Sequence, residues 1–195
     1  TKRFNQIIKD KISENNNKID IELNNVRIIL NLSNFTVGIK TKNPNIIFEN
    51  NKIKLEKIGT DFSIRSFFKK EFAIKNAKIS TKENSLKDII KIARIFKNTP
   101  QLFIFNTMLK EGIIIADIDL NFDDKGKLAN NYSLKGSVRN AKIRLLNKKN
   151  INNISFNFNI KDKQYLLESS QIEYEKLKLS SKRIEISNKE QYFLF

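Results

Sequence analysis

From Ile19 onward, apolar side chains recur at every second position: Ile19, Ile21 and Leu23, then Val26, Ile28, Leu30 and Leu32, then Phe35, Val37 and Ile39. Alternation of this kind predicts strands with one apolar face. Asn24-Asn25 and Ser33-Asn34 stand where the parity slips, as bulges or tight turns require. Asn43-Pro44 predicts a turn, residues 46–48 a short strand, and Asn50-Asn51 another turn. Ile53 and Leu55, then Ile58, Phe62 and Ile64, predict a longer strand with one change of parity. Phe72 and Ile74, followed by Ala77 and Ile79, repeat that device.

Two stretches break the two-residue period. Phe4, Ile7, Ile8 and Ile12 form a one-sided stripe that predicts a helix over residues 3–14. Leu86, Ile89, Ile90, Ala93 and Phe96 have the same helical spacing, and Ser85 with Asp88 gives a capping pattern at its start. Thr99-Pro100 ends that helix and can begin another. In it Leu102, Phe105, Met108 and Leu109 are expected to face one way, with Gly112 as the C-terminal cap. A strand over 102–105 is the alternative reading of this segment.

The alternation then returns almost to the end. Ile114, Ala116, Ile118, Leu120 and Phe122 are followed by turn chemistry at Asp123-Asp124-Lys125-Gly126. Tyr132, Leu134 and Val138 give way to Ala141, Ile143 and Leu145, with the slip at Arg139-Asn140. Ile154, Phe156, Phe158 and Ile160, then Tyr165 and Leu167, Ile172 and Tyr174, Leu177 and Leu179, and Ile184 and Ile186 complete the series. The sequence Asn-Ala-Lys-Ile occurs at 76–79 and again at 140–143, at a parity slip both times, a weak hint of a repeated strand unit.

The fold class predicted is mainly β with some helix (α+β). Long antiparallel strands would form a curled, open sheet with an N-terminal helix and a helical insertion around 85–109, in one domain over 1–195. One apolar face per strand adds up to one continuous apolar sheet face, which needs a cover. Two covers are open: the chain's own helices, giving a closed core, or a ligand with apolar tails.

Chemistry narrows the options further. The 195 residues include no Cys and no His, which removes disulfides, thiol or histidine nucleophile–base pairs and zinc sites with nitrogen or sulfur ligands. Five Gly leave no glycine-rich phosphate cradle. The longest apolar run, Ile113-Ile114-Ile115-Ala116, falls far short of the roughly 18 residues of a membrane span. The formal charge of +16 admits a polyanion, either nucleic acid or an anionic lipid surface. Lysine outnumbers arginine roughly fourfold, and Ile, Asn and Lys make up nearly half the chain. That bias toward A/T-rich codons accounts for much of the charge, and scarce Arg argues against base reading. The chain starts at Thr1 without Met and ends on Tyr192-Phe193-Leu194-Phe195, so a longer parent protein is expected, with any anchor or targeting signal before Thr1.

Three motifs invite a chemical reading. Ser66 and Lys69 match the S-x-x-K nucleophile pattern, but no partner motif follows and the setting is a connection between strands. Asp117, Asp119, Asn121, Asp123 and Asp124 could line a calcium loop, yet they alternate with Ile118, Leu120 and Phe122 and are expected on the wet face of a strand. Phe62, Phe72, Phe122, Phe156 and Phe158 could stack bases, yet they share parity with Ile and Leu, which places them on the apolar face. No catalytic residues, cofactor or metal are predicted, and the expected class is a binding protein, not an enzyme.

The stretch over residues 54–79 resembles the AsmA-like family of Gram-negative envelope proteins, which includes TamB and YhdP. The resemblance rests on Phe62 and Ile64 in a strand, the pair Phe67-Phe68 in a short connection, and Phe72, Ile74, Ala77 and Ile79 in the returning strand. The alternating strands extend it loosely over 19–187. It implies a periplasmic body of β-groove units, an inner-membrane anchor before Thr1 in the full-length protein, and a role in phospholipid transport toward the outer membrane. On that reading, acyl chains lie on Ile28, Leu30, Phe62, Ile64, Ile118, Leu120, Phe122, Phe156 and Phe158. A scaffold assisting outer-membrane protein assembly through exposed strand edges is the first alternative. Nucleic-acid binding is a more distant one, and no nucleic-acid partner is expected.

Overall fold

The computed structural model describes residues 19–33, 35–48, 51–65, 74–96, 99–123, 127, 129, 131–145, 149–162, 164–189 and 192–193. The helix predicted over 3–14, the Ser66/Lys69 pair and Phe67, Phe68 and Phe72 lie outside them. The fold is mainly antiparallel β in an open sheet, with two helices between residues 85 and 109. The strands are β1 (Ile19–Glu22), β2 (Arg27–Asn31), β3 (Thr36–Lys42), β4 (Asn45–Phe48), β5 (Asn51–Ser63), β6 (Ile74–Thr81), β7 (Asn84–Ser85), β8 (Leu109–Asn121), β9 (Ser133–Arg144), β10 (Asn150–Lys161), β11 (Gln164–Tyr174), β12 (Leu177–Lys189) and β13 (Tyr192–Phe193). The helices are α1 (Leu86–Phe96) and α2 (Pro100–Met108). Strand pairing follows the order β1-β4-β5-β6-β8-β9-β10-β11-β12-β13, with β2 on β3, β3 on β5 and β7 on β8. The chain divides into two compact units: Thr1–Lys82 with Asp117–Ser133, and Glu83–Ala116 with Leu134–Phe195.

In the first unit, two of the turns fall where asparagine can take a positive φ at low cost, whereas the β2–β3 turn puts Phe35 (φ 49°) in that conformation. Asn25 (φ 48°) and Asn43 (φ 49°) sit in the connections flanking β2 and β3. The Asn24 side-chain amide donates to Asn43 O at 3.1 Å, and Thr41 Oγ1 donates to Asn24 O at 2.6 Å, so the two turns brace each other. Both parity changes read from the sequence are bulges. Leu55 faces Thr81 while Lys57 faces Ser80, leaving Glu56 as an extra residue on β5; its carbonyl accepts the Asn43 N–H at 2.8 Å. Asp61 faces Asn76 while Phe62 faces Ile74, leaving Lys75 as the extra residue on β6; its carbonyl accepts the Phe122 N–H at 2.9 Å. Each bulge returns the apolar side chains to the face they had before it. At the β1 end, Lys52 Nζ and Asn45 Nδ2 donate to Glu22 Oε2 at 2.8 and 2.9 Å. These bonds, the Lys52 bond foremost, hold the Glu22 carboxyl below the usual carboxylate range.

Ile53 and Leu55 are buried in the first unit, and the second unit has a hydrophobic cluster of its own. Leu86 and Ile90 from α1 pack with Leu109 at the start of β8 and with Val138 and Ala141 of β9; Leu109 is fully buried. Ile114, Ile143, Ile154, Phe156 and Phe158 pack around them. Ser85 Oγ accepts the Asp88 N–H at 3.4 Å at the head of α1, as its capping pattern predicts. Thr99 Oγ1 accepts the Leu102 N–H at 3.3 Å, and Pro100 opens α2.

The end of α2 differs from the expectation. Gly112 is no helix cap: α2 stops at Met108, and Gly112 lies inside β8 with φ 146°. A Cβ there would stand 2.9 Å from Ala141 Cβ and 3.3 Å from Leu86 Cδ2, so the missing side chain lets α1 and β9 close on β8. The single apolar face expected for α2 is not formed either. Leu109 belongs to a strand and Phe105 is exposed, while Leu102 and Met108 are half-buried.

The slip at Arg139-Asn140 is a left-handed residue, Asn140 (φ 51°), whose N–H donates to Ser155 Oγ at 3.0 Å. It returns Val138 and Ala141 to the same core. Asn140→Val is expected to destabilise the protein by about 1–2 kcal/mol, because a β-branched side chain resists this backbone conformation. Asn140→Gly should be close to neutral. Urea-unfolding midpoints of the two variants check this, and equal midpoints would count against a left-handed residue 140.

Candidate functional site

The register of the first unit turns the alternation into a surface. Residues directly opposite one another in an antiparallel pair point to the same face. Leu30 faces Val37, Val37 faces Phe62 and Phe62 faces Ile74. The next row is Ile28, Ile39, Thr60, Ala77 and Leu120, and the one after it Thr41, Ile58, Ile79 and Ile118. Four steps from β2 to β8, at about 4.8 Å each, make this face about 19 Å wide. The two polar residues in these rows have their hydroxyls tied to backbone carbonyls: Thr60 donates to Asn76 O at 2.8 Å and Thr41 to Asn24 O. The surface they leave is therefore apolar in effect. Its residues are half-buried apart from buried Thr41 and the β2 edge, where Ile28 and Leu30 are 58% and 57% exposed.

The reverse face is polar over β3, β5, β6 and β8, with Ile29 of β2 exposed at its edge. Asp61 lies between Gly38 and Asn76, and the Asn76 amide donates to its carboxylate at 2.9 Å. Lys40, Gly59, Lys78 and Asp119 form the next row, with Lys78 and Asp119 3.8 Å apart. Asp117 accepts a hydrogen bond from Ser80. Asp117, Asp119 and Asn121 thus alternate away from Ile118 and Leu120, as expected for the wet side of β8. Gly38 keeps this face tight: a Cβ there would meet Asp61 Oδ1 at 3.1 Å.

The residues singled out from the sequence separate into two groups. Ile28, Leu30, Phe62, Ile118 and Leu120 share the apolar face of the first unit. Ile64 follows the end of β5, where its N–H donates to Phe35 O at 3.0 Å, and Phe122 follows β8 beside Lys75. Phe156 and Phe158 belong to the second unit and pack against its helix-covered core, their ring centroids 6.4 Å apart in an edge contact. Val37, Ile39, Ile58, Ile74, Ala77 and Ile79 complete the face without having been singled out. Their signal was the same two-residue alternation; what the sequence lacked was the register that aligns one strand with the next.

On the second unit, Phe158 faces Leu167 and Leu167 faces Ile184; Ile160 faces Tyr165 and Tyr165 faces Ile186. These rows run outward from the core to an edge where Leu177, Leu179 and Ile184 are exposed. Among the described residues there is no helix long and apolar enough to cross a membrane and no cluster of potential metal ligands. No family model matches the chain, and no curated protein or solved structure matches it either.

Proposed function

We propose that the apolar sheet face of the first unit seats lipid acyl chains, and that the chain is the β-groove part of an AsmA-like envelope protein. The observation that supports this is the three-row apolar face from β2 to β8, whose apolar residues stay half-buried to exposed and whose hydroxyls are tied off. Exposing an acyl chain to water costs about 0.8 kcal/mol per CH₂, on the order of 12 kcal/mol for a tail of about 15 carbons, and an apolar face relieves the part of that cost it covers. Binding of this kind needs no nucleophile, cofactor or metal. In the full-length protein, the proposed setting is the periplasm, with an anchor in the inner membrane and phospholipid carried toward the outer membrane.

A second reading is favoured by one feature. Strand β2 pairs with β3, and Ile28, Ile29 and Leu30 are all strongly exposed on it. An exposed apolar edge strand is a template for another strand, as a scaffold for outer-membrane protein assembly would need.

One experiment distinguishes the two. A photo-crosslinking residue at Leu120 is expected to capture phospholipid in cells, and native mass spectrometry of gently purified protein should show the same lipid bound. Capture of barrel precursors from Ile29, with no lipid at Leu120, would replace the first reading by the second.

A further inference from the structure

Helix α2 presents a surface that the acyl-chain reading does not use. It carries no charged residue, and Phe103, Ile104 and Phe105 are 55%, 51% and 37% exposed. Consecutive helical residues are about 100° apart, so these three sweep about 200° of the helix surface. Gln101 and Thr107 are the exposed polar side chains on that arc, where an ordinary surface helix also has several Lys or Glu. Leu102 and Asn106, about 40° apart around the helix, are half-buried and seat it on one side, and Met108 is half-buried at its last residue.

The charge around this patch specifies its partner. The Arg94 guanidinium lies 5.0 Å from the Phe103 ring centroid, and Lys110 Nζ donates to Thr107 O at 3.1 Å, at the other end of the helix. Across residues 86–110, Lys87, Lys91, Arg94, Lys97 and Lys110 stand against the single carboxylate of Asp88. An apolar patch with Arg94 at one end and Lys110 at the other is complementary to the headgroup layer of an anionic bilayer: the rings enter the acyl boundary while the two cations meet phosphate. At nine residues α2 is about 14 Å long, less than half the hydrocarbon thickness, so it would rest in the interface and not span it.

We infer that the α1–α2 hairpin is a membrane-docking element, with Phe103, Ile104 and Phe105 as its inserted side chains and Arg94 and Lys110 as its headgroup contacts. The inference does not depend on the acyl-chain reading, since it concerns a different unit and a different surface.

The chain has no Trp, so Ile104→Trp supplies a clean probe. In the full chain, its emission should shift to the blue on addition of phosphatidylcholine vesicles containing about 30% phosphatidylglycerol, and brominated acyl chains should quench it. Wild-type protein should float with the same vesicles in a density gradient. Phe103→Ser with Phe105→Ser should weaken partitioning at least about tenfold, and Arg94→Gln with Lys110→Gln several-fold. Asn140→Gly, a change the fold tolerates away from the patch, should leave flotation intact. Wild-type protein that stays at the bottom of the gradient overturns the proposal, as does an Ile104→Trp variant whose emission vesicles leave unmoved. Equal binding to neutral and anionic vesicles overturns the role of the cations.

Discussion

A single methyl group added at Gly136 is expected to lower the stability of the protein by about 3 kcal/mol or more. The reason is local and steric. A Cβ at Gly136 would lie 2.1 Å from the Ile115 carbonyl oxygen, 2.9 Å from Ala116 Cα and 2.9 Å from Phe158 Cζ. The first two neighbours are backbone, so no rotamer change relieves them, and β8 and β9 must separate for the side chain to fit. Phe158 lies over the glycine and takes the space a side chain would have filled, as an aromatic ring often does beside a strand glycine. Gly136→Ala should therefore lose stability in urea unfolding, and adding Phe158→Ala should not restore it. An unchanged midpoint for Gly136→Ala would show that the two strands do not approach this closely.

The second large effect concerns two apolar residues that the sequence pattern makes equivalent. Phe158 and Ile118 each have apolar neighbours two residues away on both sides, and by alternation alone both belong to one apolar face. The structure gives them different neighbours. Phe158 is half-buried but packs on Gly136 and on the core under α1. Phe158→Asp therefore loses that packing, sets a carboxylate against the core and should cost on the order of 3–5 kcal/mol. Ile118 lies half-buried in a row of β-strand side chains beside Ile79, where a carboxylate can reach water. Ile118→Asp should cost about 1–2 kcal/mol and abolish lipid co-purification. Thermal melts of the two variants, with lipid measured by mass spectrometry, decide the matter. Equal melting points would remove the distinction, and a stable Ile118→Asp protein that keeps its lipid would refute the acyl-chain reading.

That contrast marks how far the sequence could be read. Alternation located the strands from Ile19 to Ile186 and named their apolar sides, because the period of two is fixed by backbone geometry. The parity slips were legible for a similar reason. Asn at 25, 43 and 140 tolerates the left-handed backbone, and each of these residues adopts it. What covers a face was not legible, since cover depends on register and on where a helix lands. Thus Phe156 and Phe158 read like Phe62, yet they pack on a core that α1 closes. Gly112 misled because a glycine that ends a helix and a glycine that admits a neighbouring strand look alike in a sequence. The stripe Leu102, Phe105, Met108 and Leu109 misled in another way: helical spacing put all four on one side of a helix, but β8 begins at Leu109 and takes that residue for the core, and Phe105 is exposed.

The first unit is discontinuous along the chain, and this has a consequence during synthesis. Its residues end at Lys82 and resume at Asp117, after the helices of the other unit have been made. Until residues 117–121 leave the ribosome, the strand Ile74–Thr81 has β5 on one side and lacks its other neighbour, with Ala77 and Ile79 along that open edge. An apolar strand edge left waiting invites pairing with another nascent chain. A fragment stopped at Lys82 would keep that edge permanently and should aggregate, whereas one that runs through residue 133 supplies its own partner. Any dissection of this protein into expressible pieces should therefore cut after the returning strand, not at the first unit's apparent end.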